Sequence, residues 1–360
     1  MSDAVQPGIT YWREADLRAF CLRLFDAEKM SKASAEAAVR VMMHASLVGV
    51  DSHGVRLVPH YITALRGGRI NRQPQPKFVV EAGSLALLDA DHAQGAYGTY
   101  MAMDRAVEMA RQNGIGAVGV RNSSHFGAAG GYALAAAEAG MIGFAFCNSD
   151  SIVRLHGGAE RLHGTNPIAM AAPVAGQKPW LLDMATSSIP YNRVLLYRSL
   201  GVAVPEGTAS DLNGRDTLDA SAAEMLAPLG GAFGFKGAAL AGVSEILSAV
   251  MTGMRLSFDI LPMNGPDYAT PRELGAFVIA INPTVLTTKE EFDASMARYL
   301  EKLRGSRAAD GSEVMAPGDR EWAVAEQRKI SGIPVDPETS AAFRTFAAEF
   351  QFDLPEPLRG

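Results

Sequence analysis

Two of the seven histidines stand in loops suited to presenting an imidazole. In "VDSHGVRLVPHY", residues 50–61, Ser52 and His53 precede a glycine, and Arg56 and His60 follow within two helical turns. Such a loop fits a general acid or base whose neighbours orient it; the plainer reading is a surface histidine at a helix end. In "NSSHFGAAGGYA", residues 122–133, His125 follows a strand pattern and its glycines open a helix. That junction places an imidazole near solvent and near any anion drawn to the helix start. The alternative there is a satisfied core histidine.

Other segments supply anion and hydroxyl chemistry. Ser149 and Asp150 in "CNSDS" follow a strand and lead into a polar glycine loop with Arg154 and Thr165-Asn166-Pro167. "LDMATSS" brings Asp183 to a strand end and continues into hydroxyls suited to ribose and phosphate. Lys236 lies between glycines in "GAFGFKGAA", where a cation and free N–H groups of a helix start together favour an anion. Several such starts in one chain point to a phosphate-bearing cofactor. No metal is expected, because the pairs His53/His60 and His156/His163 lack H-E-x-x-H or i, i+4 spacing and an accompanying carboxylate. No G-x-S-x-G elbow marks a serine hydrolase.

The spacing of a dinucleotide fingerprint occurs at Gly114, Gly116 and Gly119, but its context is reversed. The fingerprint must follow a strand and open a helix. Here the glycines follow the helical segment "YMAMDRAVEMARQN" and sit inside a strand. Gly114 reads as a helix C-cap, and Gly116 and Gly119 as positions of close backbone packing.

The elements that must position these residues alternate along the chain. Leu17, Phe20, Cys21, Leu24 and Phe25 form one apolar helical stripe, and a second helix is expected over about 34–46. "KFVVEAGSLALLDAD" reads as a hairpin around Gly83, followed by a helix, the strand "IGAVGV", a helix stopped at Gly140 and the strand "MIGFAFCN". "PIAMAAP" and "WLLDMA" are too close for a crossover and should pair antiparallel. Residues 237–254 are apolar and small-residue-rich with Glu245 at the centre, and are expected to form a buried helix rather than a membrane span. The strand "GAFVIAI", a helix capped by Thr288 and Glu291, and a last helix from Asp336 and Pro337 complete the pattern. "DLNGRD" and "AADGSE" are expected surface loops.

Bulk properties narrow the classes. The 360 residues are 48% apolar and 20% charged with a net charge of -6, enough for a sizeable core and without the basic face a nucleic-acid partner needs. Cys21 and Cys147 are far apart in apolar segments, as expected of reduced core residues in a cytoplasmic protein. The first residues lack a basic start and an apolar run, so no secretion signal is expected.

Taken in order, "DSHGVRLVPHY", "NSSHFGAAGGYA", "HGGAERLHGTNPIAMAAP", "LDMATSS" and "GFKGAAL" resemble the type-2 malate/L-lactate dehydrogenase family, from about residue 10 to about 350. The resemblance implies an α+β fold with a non-Rossmann cofactor domain: a largely antiparallel mixed sheet flanked by helices, plus a mainly helical domain. The expected division is 1–121 with 309–360 for the helical substrate and dimerisation part, and 122–308 for the cofactor sheet. It implies NAD or NADP as cofactor and a homodimer whose active site takes residues from both subunits. His125 and His53 match the histidines assigned as proton donor or acceptor in different branches, Asp150 an acidic residue beside the active histidine, and Ser149, Asp183, Met184, Ala185 and Lys236 cofactor contacts. Gly318 falls near another cofactor segment. Two departures stand out. Leu57 replaces an arginine common in the family, leaving Arg56 one position earlier and turned by about 100° if helical, and "SSIPYNRV" differs from a glycine-lysine ending.

The expected reaction is hydride transfer between NAD(P)H and C2 of a small 2-oxo or 2-hydroxy acid of malate or lactate type. His125 or His53 moves the proton, Asp150 or Ser52 orients it, and Arg56 is the candidate carboxylate clamp. Rivals are ureidoglycolate oxidation, cyclic imino acid reduction, a nucleotide-binding regulator and a metal-dependent hydrolase.

Overall fold

The computed structural model describes residues 8–358; residues 1–7, which hold most of the expected signal-free start, and 359–360 lie outside the described residues. Seven strands form the main sheet in the order Lys77–Ala82, Leu85–Asp89, Ile115–Ser123, Leu274–Ile281, Ile142–Cys147, Ile168–Ala172, Trp180–Met184. Every neighbouring pair is antiparallel except Leu85–Asp89 with Ile115–Ser123. Those two parallel strands are joined by the Gly95–Asn113 helix, the crossover that parallel pairing requires. The expected hairpin turns at Gly83 in a left-handed conformation, and the short 168–184 connection pairs antiparallel as its length dictates.

Glycines set how closely helices approach this sheet. Gly114 is the left-handed C-cap of the Gly95–Asn113 helix (φ 84°). A Cβ on Gly116 would lie 2.1 Å from the Ala106 carbonyl oxygen, and one on Gly143 would lie 2.5 Å from that of Ala133. The first contact is with the Gly95–Asn113 helix and the second with the Gly130–Glu138 helix. The apparent dinucleotide fingerprint is therefore a cap and a packing contact, as its reversed context predicts.

A helical layer covers the sheet. Leu17, Phe20, Cys21, Leu24 and Phe25 are the buried stripe of Glu14–Ala27. One hydrophobic core runs from Trp12 to Ala347 through helices and sheet alike. The expected boundary at 121/122 falls within the Ile115–Ser123 strand, so three strands of the sheet come from the part expected to be mainly helical. A smaller core of Val153, Val194, Val204, Ala209 and Leu226 lies with a four-stranded sheet. Both cysteines are buried and unpaired. No helix among the described residues is long and apolar enough to cross a membrane.

The segment expected as a buried helix differs. It is α-helical over Phe235–Glu245, then a π-turn over Ile246–Val250. Gly237, Ala241, Ser244 and Ala249 face inward, while Ile246 and Val250 are 56% and 60% exposed. Overall hydrophobicity cannot tell which side of a helix its own chain covers; the small residues take the inner face because they permit close approach. Glu245 is buried, as its central position suggests. It accepts from Asn166 Nδ2 (2.7 Å) and the Ser257 amide (2.6 Å), which satisfies a carboxylate out of water.

Gly116→Ala is expected to cost about 3 kcal/mol through overpacking against backbone, read as a lowered denaturation midpoint. An unchanged midpoint would show that the helix–sheet contact yields freely.

Candidate active site

His53 lies in a 3-10 turn, Asp51–His53, pinned from both sides. Arg328 donates to both carboxylate oxygens of Asp51 (2.5 and 2.9 Å), and a Cβ on Gly54 would sit 2.1 Å from Ser46 Oγ. Ser52 Oγ is 2.9 Å from His53 Nδ1, the orienting contact expected of it.

His125 follows the Ile115–Ser123 strand in an extended loop. Gln94 Nε2 donates to its carbonyl at 3.2 Å, and a Cβ on Gly95 would lie 2.3 Å from the Ser124 carbonyl oxygen, so one helix start holds the loop. The Tyr61 hydroxyl is 2.8 Å from His125 Nδ1. The rings of His53 and His125 stack with centroids 5.8 Å apart and an interplanar angle of 24°. Two imidazoles 72 positions apart in sequence thus meet, each partly accessible.

The surroundings favour neutral rings. Burial lowers His53, and burial followed by the charges of His53, His60 and Arg272 holds His125 well below the usual imidazole range. Burial with Arg272 and Arg69 brings His60 to about 4, against a smaller opposing effect of Asp150. Burial also raises Tyr61, keeping its phenol protonated.

Two expected roles change. Asp150 does not contact either imidazole: its carboxylate accepts from Arg272 Nη2 and from the Met263 amide (3.1 Å). It reaches the histidines only through the field it shares with Arg272. Arg56 turns outward, its side chain 50% exposed and 3.4 Å from Glu338. The reason is local, since Val55 and Leu57 on either side take the buried positions of that turn.

The expected cofactor contacts form a connected surface beside the histidines. Asp183, at the end of Trp180–Met184, accepts from the Gly130 amide at 2.8 Å, so the loop carrying His125 ends on this carboxylate. Burial pushes the Asp183 carboxyl up to about 6, partly offset by the Gly130 amide. The residue itself is exposed to solvent. Met184 and Ala185 continue from it, partly exposed. Gly318 caps the Asp319–Ser331 helix at φ 97°, and a Cβ there would lie 3.1 Å from the Leu181 amide of the same strand. Thr186 Oγ1 donates to the carbonyls of Thr165 (3.0 Å) and Asn166 (3.2 Å), and Ser149 Oγ accepts from the Thr165 amide (3.1 Å). Leu229 donates to the Thr186 carbonyl and packs under Gly237, which places exposed Lys236 at the same rim. A carboxylate at a strand end and a cation at a helix start are the donor and acceptor set a dinucleotide requires. No group of three His, Cys, Asp or Glu side chains suited to a metal lies among the described residues.

Sequence reasoning missed Tyr61, Arg69 and Arg272. Tyr61 was visible at the end of the His53 segment, eight residues on, but only the fold turns it toward His125. Arg272 is 122 residues from Asp150 and carries no local signal.

The family model for malate/L-lactate dehydrogenase matches residues 12–344. A malate dehydrogenase of Pyrococcus abyssi is 38% identical over 330 residues, 89% of each chain. A ureidoglycolate dehydrogenase (NAD(+)) of Escherichia coli O157:H7 is 33% identical over 307 residues, 85% of this chain and 87% of that one. The solved malate dehydrogenase of Pyrococcus horikoshii OT3 superposes with a TM-score of 0.88 at 29% identity, covering 98% and 99% of the two chains. The chain belongs to the malate/L-lactate dehydrogenase family.

Proposed function

We propose that this chain transfers hydride between C2 of a small 2-hydroxy acid, of malate or lactate type, and the nicotinamide of NAD or NADP. The observation that carries the reading is the stacked His53–His125 pair adjoining the Asp183 surface through the His125–Gly130 loop. Bound nicotinamide supplies the hydride acceptor or donor; the residues of this chain place the substrate and move its proton.

A neutral imidazole is the form a base requires. The Tyr61 hydroxyl lies 2.8 Å from His125 Nδ1; a base acting through Nε2 carries its neutral proton on Nδ1 and donates it to the Tyr61 oxygen, which leaves Nε2 free. In oxidation Nε2 of His125 takes the hydroxyl proton, while His53, whose Nδ1 is held by Ser52, stacks beside it. In reduction the proton returns along the same path to the new alkoxide. Asp183 is suited to accept ribose hydroxyls, and Lys236 with the Phe235–Glu245 helix start to hold phosphate. Met184, Ala185, Ser149 and Gly318 line the approach. These residues would hold the nucleotide beside a mainly antiparallel sheet, outside a Rossmann arrangement.

We also propose a homodimer built on the exposed face of Leu240, Val243, Ile246 and Val250. A contiguous apolar stripe of this kind marks an association surface, and the same helix carries Lys236 in its first turn, so a second copy seated there abuts the cofactor side. The unpaired buried thiols fit a reducing, cytoplasmic setting.

His125→Ala is expected to lower kcat/KM by about 100-fold or more while NADH or NADPH affinity stays within a few-fold, followed by nicotinamide absorbance with a panel of 2-oxo acids. Near wild-type turnover removes His125 from the reaction. Ile246→Glu is expected to give monomers in light scattering; an unchanged dimer moves the interface elsewhere, and a monomeric wild type removes it.

A further inference from the structure

Beside the histidines lies a cluster of two arginines with too few acceptors. Arg272 and Arg69 are each 2% exposed. Arg272 Nε donates to the Leu261 carbonyl (2.8 Å) and Nη2 to Asp150, but its Nη1 is buried without a partner. Arg69 Nη1 donates to the carbonyls of Met263 (2.9 Å) and Pro262 (3.4 Å), while its Nε and Nη2 are buried without partners. The Arg69 guanidinium lies 4.7 Å from the Tyr268 ring centroid, and Tyr268 in turn adjoins His60.

Buried charged donors are almost always satisfied, so three such nitrogens on neighbouring guanidiniums require an explanation. The charges give the same result. Arg272 is paired with Asp150, whereas Arg69 donates only to backbone carbonyls, so its positive charge has no bonded carboxylate within the cluster. Asp267 stands nearby, but it is exposed and its carboxylate accepts from the Ala269 (2.7 Å) and Thr270 (3.0 Å) amides. Asp150 is 32% exposed, which marks where the cluster meets the cleft. The charge of Arg272 acts on His125, His60 and Tyr61, and that of Arg69 on His60, so both lie on the side of the reacting groups.

We infer that Arg69 and Arg272 together form the receptor for the carboxylate of the substrate, the role that outward-facing Arg56 does not fill. The inference rests on the 2-hydroxy acid reading above. The planar forks of two guanidiniums match a carboxylate in geometry and supply it with charge-assisted bonds. One acidic head group completes the unmet donors and balances the cluster, with Asp150 holding Arg272 in place from the opposite nitrogen.

The test uses the enzyme with NADH bound and oxamate, a non-reacting 2-oxo acid mimic. Oxamate is expected to bind wild type at least thirtyfold more tightly than uncharged oxamide; equal affinities overturn the inference without any variant. Arg69→Met is expected to raise both the oxamate Kd and the KM for 2-oxo acids at least tenfold, the loss falling mainly on KM, with Arg69→Lys between. Arg56→Ala is expected to leave both within twofold. Arg69→Met values within twofold of wild type, or a tenfold loss in Arg56→Ala, overturn the inference. Absence of turnover with every 2-oxo acid, with oxamate binding still dependent on Arg69, removes the proposed reaction and leaves the receptor standing.

Discussion

His125 is fixed from three directions, and the rest of the site is arranged around that constraint. Gln94 holds its carbonyl, Tyr61 its Nδ1, and at the far end of its loop the Gly130 amide is tied to Asp183. The first and third contacts come from the starts of two helices, Gly95–Asn113 and Gly130–Glu138, that the sheet admits closely because Gly116 and Gly143 have no side chain. Helix–sheet packing is therefore the cause, and the placement of an imidazole is its consequence. A neutral ring follows from the same packing, since enclosure penalises the charged form and nearby Arg272 adds to the penalty.

The site divides at Ser149 and Asp150. Ser149 belongs to the hydrogen-bond network of Thr165, Asn166 and Thr186, whereas Asp150 belongs to Arg272. Two adjacent residues after one strand thus join the two halves. Buried Glu245 stiffens that junction by bonding Asn166 and Ser257 at once.

How much of this could be read from the chain depended on range. Local chemistry was legible: the Thr288–Glu291 capping box, Asp336 as N-cap, the Gly83 hairpin and the capping role of Gly114 all follow from neighbours a few residues apart. The pairing of His53 with His125 was legible only as two separate loops with the same character. What failed depended on facing direction. Arg56 lies in a turn whose buried positions are Val55 and Leu57, and nothing in the sequence says which of the three points inward. Asp150, which the family resemblance placed beside the active histidine, is claimed instead by Arg272, 122 positions away. The apolar 237–254 segment reads as buried because composition records hydrophobicity, not cover.

The central claim is that His125 is an uncharged base locked by Tyr61. Ring-nitrogen NMR on protein labelled with ¹⁵N-histidine, titrated from pH 8 toward acid, measures this directly. The His125 ring is expected to remain neutral, with its proton on Nδ1 and Nε2 free, down through the ordinary imidazole pKa of about 6.5. A ring that protonates at or above that value, or that carries its neutral proton on Nε2, contradicts it.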